Sequence, residues 1–587
     1  MRIWRLGRTT AILVGVLAAG PPVQAQGAPP GMPSTSPAPI LSDRARVLPA
    51  LARNGMVASQ EAKATRVGTD VLRRGGNAVD AAVAVGFALA VTLPRAGNLG
   101  GGGFMLLHLA ARNETVAIDY RETAPAAATP TMFLRPDGEP DPARSRDSAL
   151  AVAVPGTVAG LALAHARYGS GRFTLAELLA PAERLAREGF AVADDLADTL
   201  PGAAGRLGRF AATRAIFFNG DRPLGLGERL VQPDLADTLA AVAAGGPDAF
   251  YRGETARRIA AAVSEAGGIM TGEDLARYRP VIRSAVRGTY RGVEIVSMPP
   301  PSSGGVHLIQ ILNMLEGFDV AALGAGSAEA IHLMAEAMKP AYADRAAYLG
   351  DPDRVTVPVR ALTSKGYAKE LRAGIAPDRA RPADEISAGD AAPFEGDQTT
   401  HFSVVDRDGN AVSNTYTLNF SYGLGLVADG TGVLLNNEMD DFAAKPGATN
   451  AYGLVGGEAN SVEPGRRPLS SMTPTFLFRD GRLLMATGSP GGSRIITTVL
   501  GVILGVVDFG LNVAEAVAAP RVHHQWRPDF LLVETGLSPD TLQLLRNKGH
   551  RVVVGSTSGS ANSIVVGPDG LAGAADPRQR GTLAEGH

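Results

Sequence analysis

The segment Gln398-Thr399-Thr400-His401-Phe402-Ser403-Val404-Val405 places two threonines at the mouth of a predicted β-strand. Residues 376–398 before it are rich in Asp, Pro, Ala and Gly and lack periodicity. The residues after it read as a hairpin: Phe402 and Val404 alternate with polar residues, Asp406 to Asn410 turns around Gly409, and Ala411 to Leu418 runs back. A hydroxyl delivered by a loop to the start of a strand suits an internally cleaved chain. The Thr399 hydroxyl would attack the Gln398 carbonyl. Hydrolysis of that ester would leave a new α-amine on Thr399 as the base for its own hydroxyl. An α-amine titrates near ~7.7–8.0, close enough to neutrality for a useful unprotonated fraction. Alone, two threonines before a strand are ordinary β-formers, so the chemistry needs support elsewhere in the chain.

Three other stretches supply it. Leu483 to Arg494 (LLMATGSPGGSR) reads as a strand, a glycine-rich turn and a helix start. The N–H groups of Gly491 and Gly492 fall where a helix leaves its first donors unpaired, which suits an oxyanion. The alternative is a tight connection that needs glycine for packing. Arg121 ends an early strand beside Glu122, and Arg466-Arg467-Pro468-Leu469-Ser470-Ser471 sets cations and hydroxyls before another. A guanidinium there could hold a carboxylate, or Arg121 could be a structural ion pair. Asn436 to Asp441 concentrates acceptors, suited to an ammonium group or to a polar turn. Carboxylate and ammonium clamps beside a threonine would select an α-amino acid head group.

The positioning elements follow in chain order. Ser59 is expected to cap a helix bearing Ala64, Val67, Val71 and Leu72, ended by Gly75-Gly76. Asn77, with Asp80 three residues on, caps an Ala-rich helix that should pack closely on a neighbour. Gly100 to Gly103 require a bend or a close backbone approach; a phosphate loop is excluded because a strand follows and no Lys-Ser/Thr pair is present. Residues 150–290 read as helical scaffold, with a Thr174/Glu177 capping box. Pro299 to Gly305 is a rigid turn into the helix Val306–Leu315, and Ala330–Ala347 is a further helix. Beyond Thr399 the chain is richer in strands, including hairpins at Asp480-Gly481 and Gly567 to Gly570.

Composition bounds the rest. The chain has 587 residues, 45% apolar and 19% charged, with a net charge of −2. Length alone corresponds to about four domains. Near-balanced charge gives no reason to expect a nucleic acid or an anionic membrane surface as partner. The absence of cysteine removes disulfides, thiol nucleophiles and thiolate metal sites. Adjacent His523 and His524 would point to opposite faces of a strand, against a shared metal. Arg2, Arg5 and Arg8, the apolar run Thr10–Gly20 and Val23-Gln24-Ala25 read as a signal peptide, residues 1–25, so export to a bacterial periplasm is expected. Residues 26–54 read as a linker. The 13 residues Ile495–Val507 are too few to span a bilayer and read as a core helix.

The motifs GGNAVDAAVAVGFALAVTLPRAGNLGGGGFM, DYRETAP, PPPSSGG, QTTHFSVVDRDGNAVSNTYTLN, RPLSSMTPT and TGSPGGSR give the chain a resemblance to the gamma-glutamyltranspeptidase (glutathione hydrolase) family of N-terminal nucleophile hydrolases, from about Gly55 to Arg578. The resemblance implies an α+β fold, a four-layer αββα sandwich, built from both products of cleavage at Gln398-Thr399. The large subunit would be 55–398 and the small subunit 399–587, forming one intertwined domain. It implies Thr399 as nucleophile, Thr417 as its hydrogen-bonding threonine, and Gly491 and Gly492 as the oxyanion hole. Arg121, Ser470 and Ser471 would bind an α-carboxylate, and Asn419, Glu438 and Asp441 an α-amine. Residues 446–457 resemble a lid loop with Tyr452 as gate. The implied substrates are glutathione and other γ-glutamyl compounds, with water or an amino acid or peptide as acceptor, and no cofactor or metal. Alternatives are a cephalosporin or glutaryl acylase or a capsule-linking transpeptidase of the same fold, or a catalytically silent periplasmic binding protein.

Overall fold

Alternation along a few central strands builds the layers. In the strand Gly102–Leu109, Met105, Leu107 and Leu109 enter one apolar core, while Phe104 and Leu106 enter a second. The strand Thr400–Asp406 divides likewise, with Phe402 and Val404 on the first side and Val405 on the other. Successive side chains of a strand leave opposite faces, so a sheet that is apolar on both must be covered on both. The computed structural model describes residues 46–386, 399–448, 450, 453–555 and 559–587. The expected signal peptide, Gln398 and Tyr452 lie outside the described residues.

The covering is asymmetric. The first sheet has seven antiparallel strands in the order Leu583–Gly586, Gly55–Ser59, Thr400–Asp406, Ala411–Thr417, Gly102–Leu109, Glu114–Tyr120 and Val281–Ser284. Helices Ala62–Arg73, Ala78–Thr92, Thr157–Tyr168 and Leu175–Glu188 cover one face through Val71, Phe87, Leu161 and Leu178. The other face packs on a second seven-stranded sheet through residues such as Ile295, Phe476, Met485 and Ile564. Helices Gly304–Leu315, Ala328–Tyr348 and Ile495–Val507 close that sheet from outside. The result is the expected αββα sandwich, and residues Val47–His587 form one compact unit, not the four suggested by length.

The polar face of the hairpin has a different fate from the solvent its alternation suggests. His401, Ser403 and Ser413 are buried between the sheets. Ser403 Oγ donates to Asn562 O (2.9 Å), Ser413 Oγ donates to Thr487 O (2.9 Å), and His401 Nδ1 pairs with Thr415 Oγ1 (2.9 Å). Burial pushes the His401 pKa down to about 3, so its ring is a neutral strut.

Local signals are largely realised. Asn77 and Asp80 form a capping box for Ala78–Thr92, every residue of which is buried, and Thr174 and Glu177 cap Leu175–Glu188. Two expectations are corrected. Ser59 ends a strand, and the Glu61 carboxylate caps Ala62–Arg73 by accepting from Ala64 N (2.9 Å), because Ser59 Oγ is taken by Thr65 Oγ1. The expected linker to residue 54 contains the edge strand Ala50–Ala52, paired with Leu571–Gly573. Ile495–Val507 is a buried core helix. Among the described residues no helix is long and apolar enough to cross a membrane.

The glycine run is explained by contact. A Cβ on Gly101 would lie 2.0 Å from Thr417 O, and one on Gly103 would lie 2.4 Å from Thr415 O. Neither backbone oxygen can move without breaking the sheet. Gly101→Ala should therefore destabilise by at least the ~1–3 kcal/mol of an overpacked core. Gly366→Ala, in open space within a helix, should be neutral or stabilising by up to ~1 kcal/mol. Thermal melts of the two variants check the contrast.

Candidate active site

The hairpin register brings the two threonines together. Thr400 pairs with Tyr416 across the strands, and Thr399 Oγ1 lies 3.4 Å from Thr417 Oγ1. Thr417 Oγ1 also accepts from Asn419 N (2.9 Å). Asn419 takes φ +72°, a left-handed conformation that asparagine tolerates, and its side-chain amide donates to Asn437 O (2.9 Å). Asn98 braces the turn from the glycine run: its amide donates to Thr417 O (2.8 Å) and its oxygen accepts from Gly101 N (2.9 Å).

Thr399, Thr417 and Asn419 line one small cavity. Glu438, Asp441, Ser470, Ser471 and Gly492 line it too, so most of the sequence-predicted residues converge there. Gly491 and Gly492 have φ +134° and +53°, which residues with side chains rarely adopt, and they lead into Ile495–Val507. From the expected lid loop, Leu454 reaches the cavity wall, and Asn450 Nδ2 donates to Asp441 Oδ1 (3.3 Å).

Arg121 is fully buried and holds two of the predicted amine binders. Its guanidinium donates to Glu438 and Asp441, and Glu122 Oε2 lies 3.5 Å away. Its Nε donates to Pro468 O (3.1 Å). Burial works against the Arg121 charge, but the three carboxylates outweigh it and its pKa rises. Burial also pushes Glu122 up to about 7, against the pull of Arg121, and raises Glu438 well above the usual carboxylate range. Neither Glu122 oxygen has a hydrogen-bond partner. Glu122 and Glu438 crowd one guanidinium, so a proton held between those two acids is favoured at neutral pH.

The serine pair is held by a segment the sequence left as a turn. Ser303 N donates to Ser470 O (2.8 Å), Ser470 N donates to Pro301 O (2.9 Å), and Ser302 Oγ donates to Met472 O (2.6 Å). The PPPSSGG stretch is thus the back wall of Ser470-Ser471. Arg345 was missed by sequence reasoning. Its Nη2 donates to Ser471 Oγ (3.2 Å), its Nε donates to Ser303 Oγ (3.0 Å), and it lines the cavity. Burial lowers its pKa to about 10, still a cation at neutral pH. Its only signal was a basic residue in the last turn of a helix. Arg466 and Arg467 are corrected: they bond Ser461 O (2.9 Å) and Arg279 O (2.8 Å) and do not line the cavity. His523 and His524 take separate partners, Thr497 Oγ1 (2.9 Å) and Asp529 (3.2 Å).

Residues 64–586 match the gamma-glutamyltranspeptidase family. The chain is 56% identical over 541 residues to the glutathione hydrolase proenzyme of Escherichia coli K12, covering 92% of this chain and 93% of that one. It is 41% identical over 544 residues to the acylase ACY 1 proenzyme of Pseudomonas sp. SE83, covering 91% and 94%. Among solved structures, cephalosporin acylase from Bacillus halodurans superposes with a TM-score of 0.80 at 29% identity, covering 95% of this chain and 99% of that one. Helicobacter pylori gamma-glutamyltranspeptidase gives 0.56 at 46% identity, covering 59% and 97%.

The Glu122 acid carries a pH prediction. Its folded pKa, about 7, lies above its ordinary 4.5, so the stability tied to its proton is full below about 4.5 and is lost as pH rises through 7. Glu122→Gln, which keeps the neutral shape, should flatten the decline. Thermal midpoints of both proteins from pH 4.5 to 8 measure it, and parallel curves would refute the assignment.

Proposed function

The chain belongs to the gamma-glutamyltranspeptidase family, and from that premise we propose that Thr399 is the nucleophile of a self-cleaving γ-glutamyltransferase that hydrolyses glutathione. The observation that carries the proposal is Thr399 at a cavity wall, beside Thr417 and facing Glu438, Asp441, Ser470 and Ser471. In the precursor, Thr399 Oγ attacks the Gln398 carbonyl, and water hydrolyses the ester to a Gln398 carboxylate and a Thr399 α-amine. In turnover that amine takes the Oγ proton while Oγ attacks the γ-carbonyl. The Gly491 and Gly492 N–H groups hold the oxyanion, where losing one such donor costs ~2.7–4 kcal/mol. The proton passes to the departing amine of cysteinylglycine, and the γ-glutamyl ester goes to water or to the amine of an amino acid or peptide.

Head-group selection follows from the Arg121 pairing. A γ-glutamyl α-carboxylate can take Arg121, with Ser470 and Ser471, only by drawing it from Glu438 and Asp441. The α-ammonium then gives those acids and Asn419 a new partner, so the exchange is balanced in charge. A glutaryl group lacks the ammonium and would leave Glu438 and Asp441 facing each other unpaired. This favours the γ-glutamyl reading over the acylase reading, which the similarity to acylases otherwise keeps open. Retention of Thr399, Thr417 and the Gly491-Gly492 pair weighs against a silent binding protein.

The two products, residues up to 398 and 399–587, would remain one heterodimer. Gly55–Ser59 and Gly102–Leu109 of the larger part flank Thr400–Asp406 and Ala411–Thr417 of the smaller within one sheet. Export to the periplasm rests on the N-terminal residues 1–25, and Tyr452 is assigned as lid gate by the motif alone.

Thr399→Ala should run as a single chain on a denaturing gel, where the wild type gives two; a variant that still splits would refute self-cleavage at this residue. For wild-type enzyme, kcat/KM on a γ-glutamyl anilide should exceed that on the glutaryl anilide by at least tenfold, since a lost charged partner costs ~1.5–3 kcal/mol. Equal values would favour the acylase reading.

A further inference from the structure

Helix Ala328–Tyr348 presents His332, Glu336 and Lys339 on one face, since residues three and four apart stack along a helix. All three are buried. His332 Nε2 lies 2.7 Å from Ala376 O, and His332 Nδ1 lies 2.8 Å from His550 Nε2. A carbonyl only accepts, so His332 carries its proton on Nε2 and its lone pair on Nδ1, and His550 Nε2 donates to it.

We propose that His332 Nδ1, His550 Nε2 and a Glu336 carboxylate oxygen form a binding site for a first-row divalent transition ion of the zinc or cobalt class. Donor atoms of the three side chains lie within 4.8 Å of one another. Two neutral imidazoles and a carboxylate are a donor set for these ions. The Ala376 carbonyl on the far nitrogen of His332 is the kind of contact that fixes a ligating imidazole in tautomer and orientation. With zinc–nitrogen bonds of about 2.0–2.1 Å, two imidazole nitrogens on a tetrahedral ion stand about 3.3 Å apart. The pair at 2.8 Å therefore opens slightly to admit it. The His550 proton moves from Nε2 to Nδ1, so the histidines stay neutral and release no proton. Glu336 Oε1 already accepts from the Lys339 ammonium (2.6 Å) and Oε2 from Arg381 N (3.1 Å). Each carboxylate oxygen has a second lone pair to share. Lys339 opposes the incoming charge and so sets the affinity. The site joins His332 and Glu336, before Thr399, to His550, after it; binding itself does not depend on the reading of Thr399.

Untagged protein stripped with EDTA and dialysed against zinc chloride tests the site, with bound zinc counted by plasma mass spectrometry and affinity read by competition with a chromophoric chelator. The wild type should hold one zinc per chain. His332→Gln and His550→Gln, which keep a polar group of similar size, should weaken binding at least ~10-fold. Lys339→Gln should tighten it several-fold, by removing the competing charge. Melts without metal establish that each variant is folded. Should the histidine variants not fold, the cobalt-loaded wild type decides by its visible spectrum. Intense bands of a four-coordinate nitrogen and oxygen site support the proposal. A wild type that binds no zinc, histidine variants that bind as the wild type does, or a weak six-coordinate cobalt spectrum would overturn it.

Discussion

The antiparallel register of Thr400–Asp406 with Ala411–Thr417 is the constraint on which the site depends. It places Thr399 beside Thr417, and it is enforced from both faces. Phe402 and Val404 lie in the helix-covered core, while His401 and Ser403 bond within the layer between the sheets. A slip of one residue would exchange those faces, forcing polar groups into the apolar core and separating the threonines. Strands on either side leave the pair no free edge, and Gly101 and Gly103 let the neighbouring backbone approach where any side chain would collide.

A second constraint is electrostatic. Burying an arginine is tolerable only with partners, and Arg121 has three carboxylates around it, two of which, Glu122 and Glu438, are as deeply buried as it is. The raised pKa values of Glu122 and Glu438 express that imbalance. Arg121, Glu438 and Asp441 are therefore paired with one another, and on the proposed reading a zwitterionic head group would match both halves at once. Arg345 adds a second buried cation behind Ser471. On the proposed reading, selection of substrate and organisation of the site draw on the same few charges.

Much of the fold was legible because its signals are local. The Asn77 and Thr174 capping boxes, the Asp406–Asn410 turn and the Asp480-Gly481 hairpin each depend on residues within a few positions. The failures have local causes too. Ser59 looked like a helix cap, yet its hydroxyl is claimed by Thr65 and Glu61 is better placed. Ala50–Ala52 looked like linker because three residues carry no period, and only pairing with Leu571–Gly573 makes them a strand.

By itself the sequence determined the hairpin, the glycine-bounded loops, the buried character of Ile495–Val507 and the residue types of a threonine-centred amide chemistry. Tertiary structure alone decided which of those residues meet. Arg121 reaches Glu438 across 317 positions, His332 reaches His550 across 218, and Ser302-Ser303 back Ser470 from an unrelated turn. It also decided that Arg466 and Arg467 face away from the cavity while Arg345 faces in. The physical reason is range. Capping, turns and periodicity act over one to four residues, whereas charge pairing and the polar layer between sheets exist only once folding has brought distant segments out of water together.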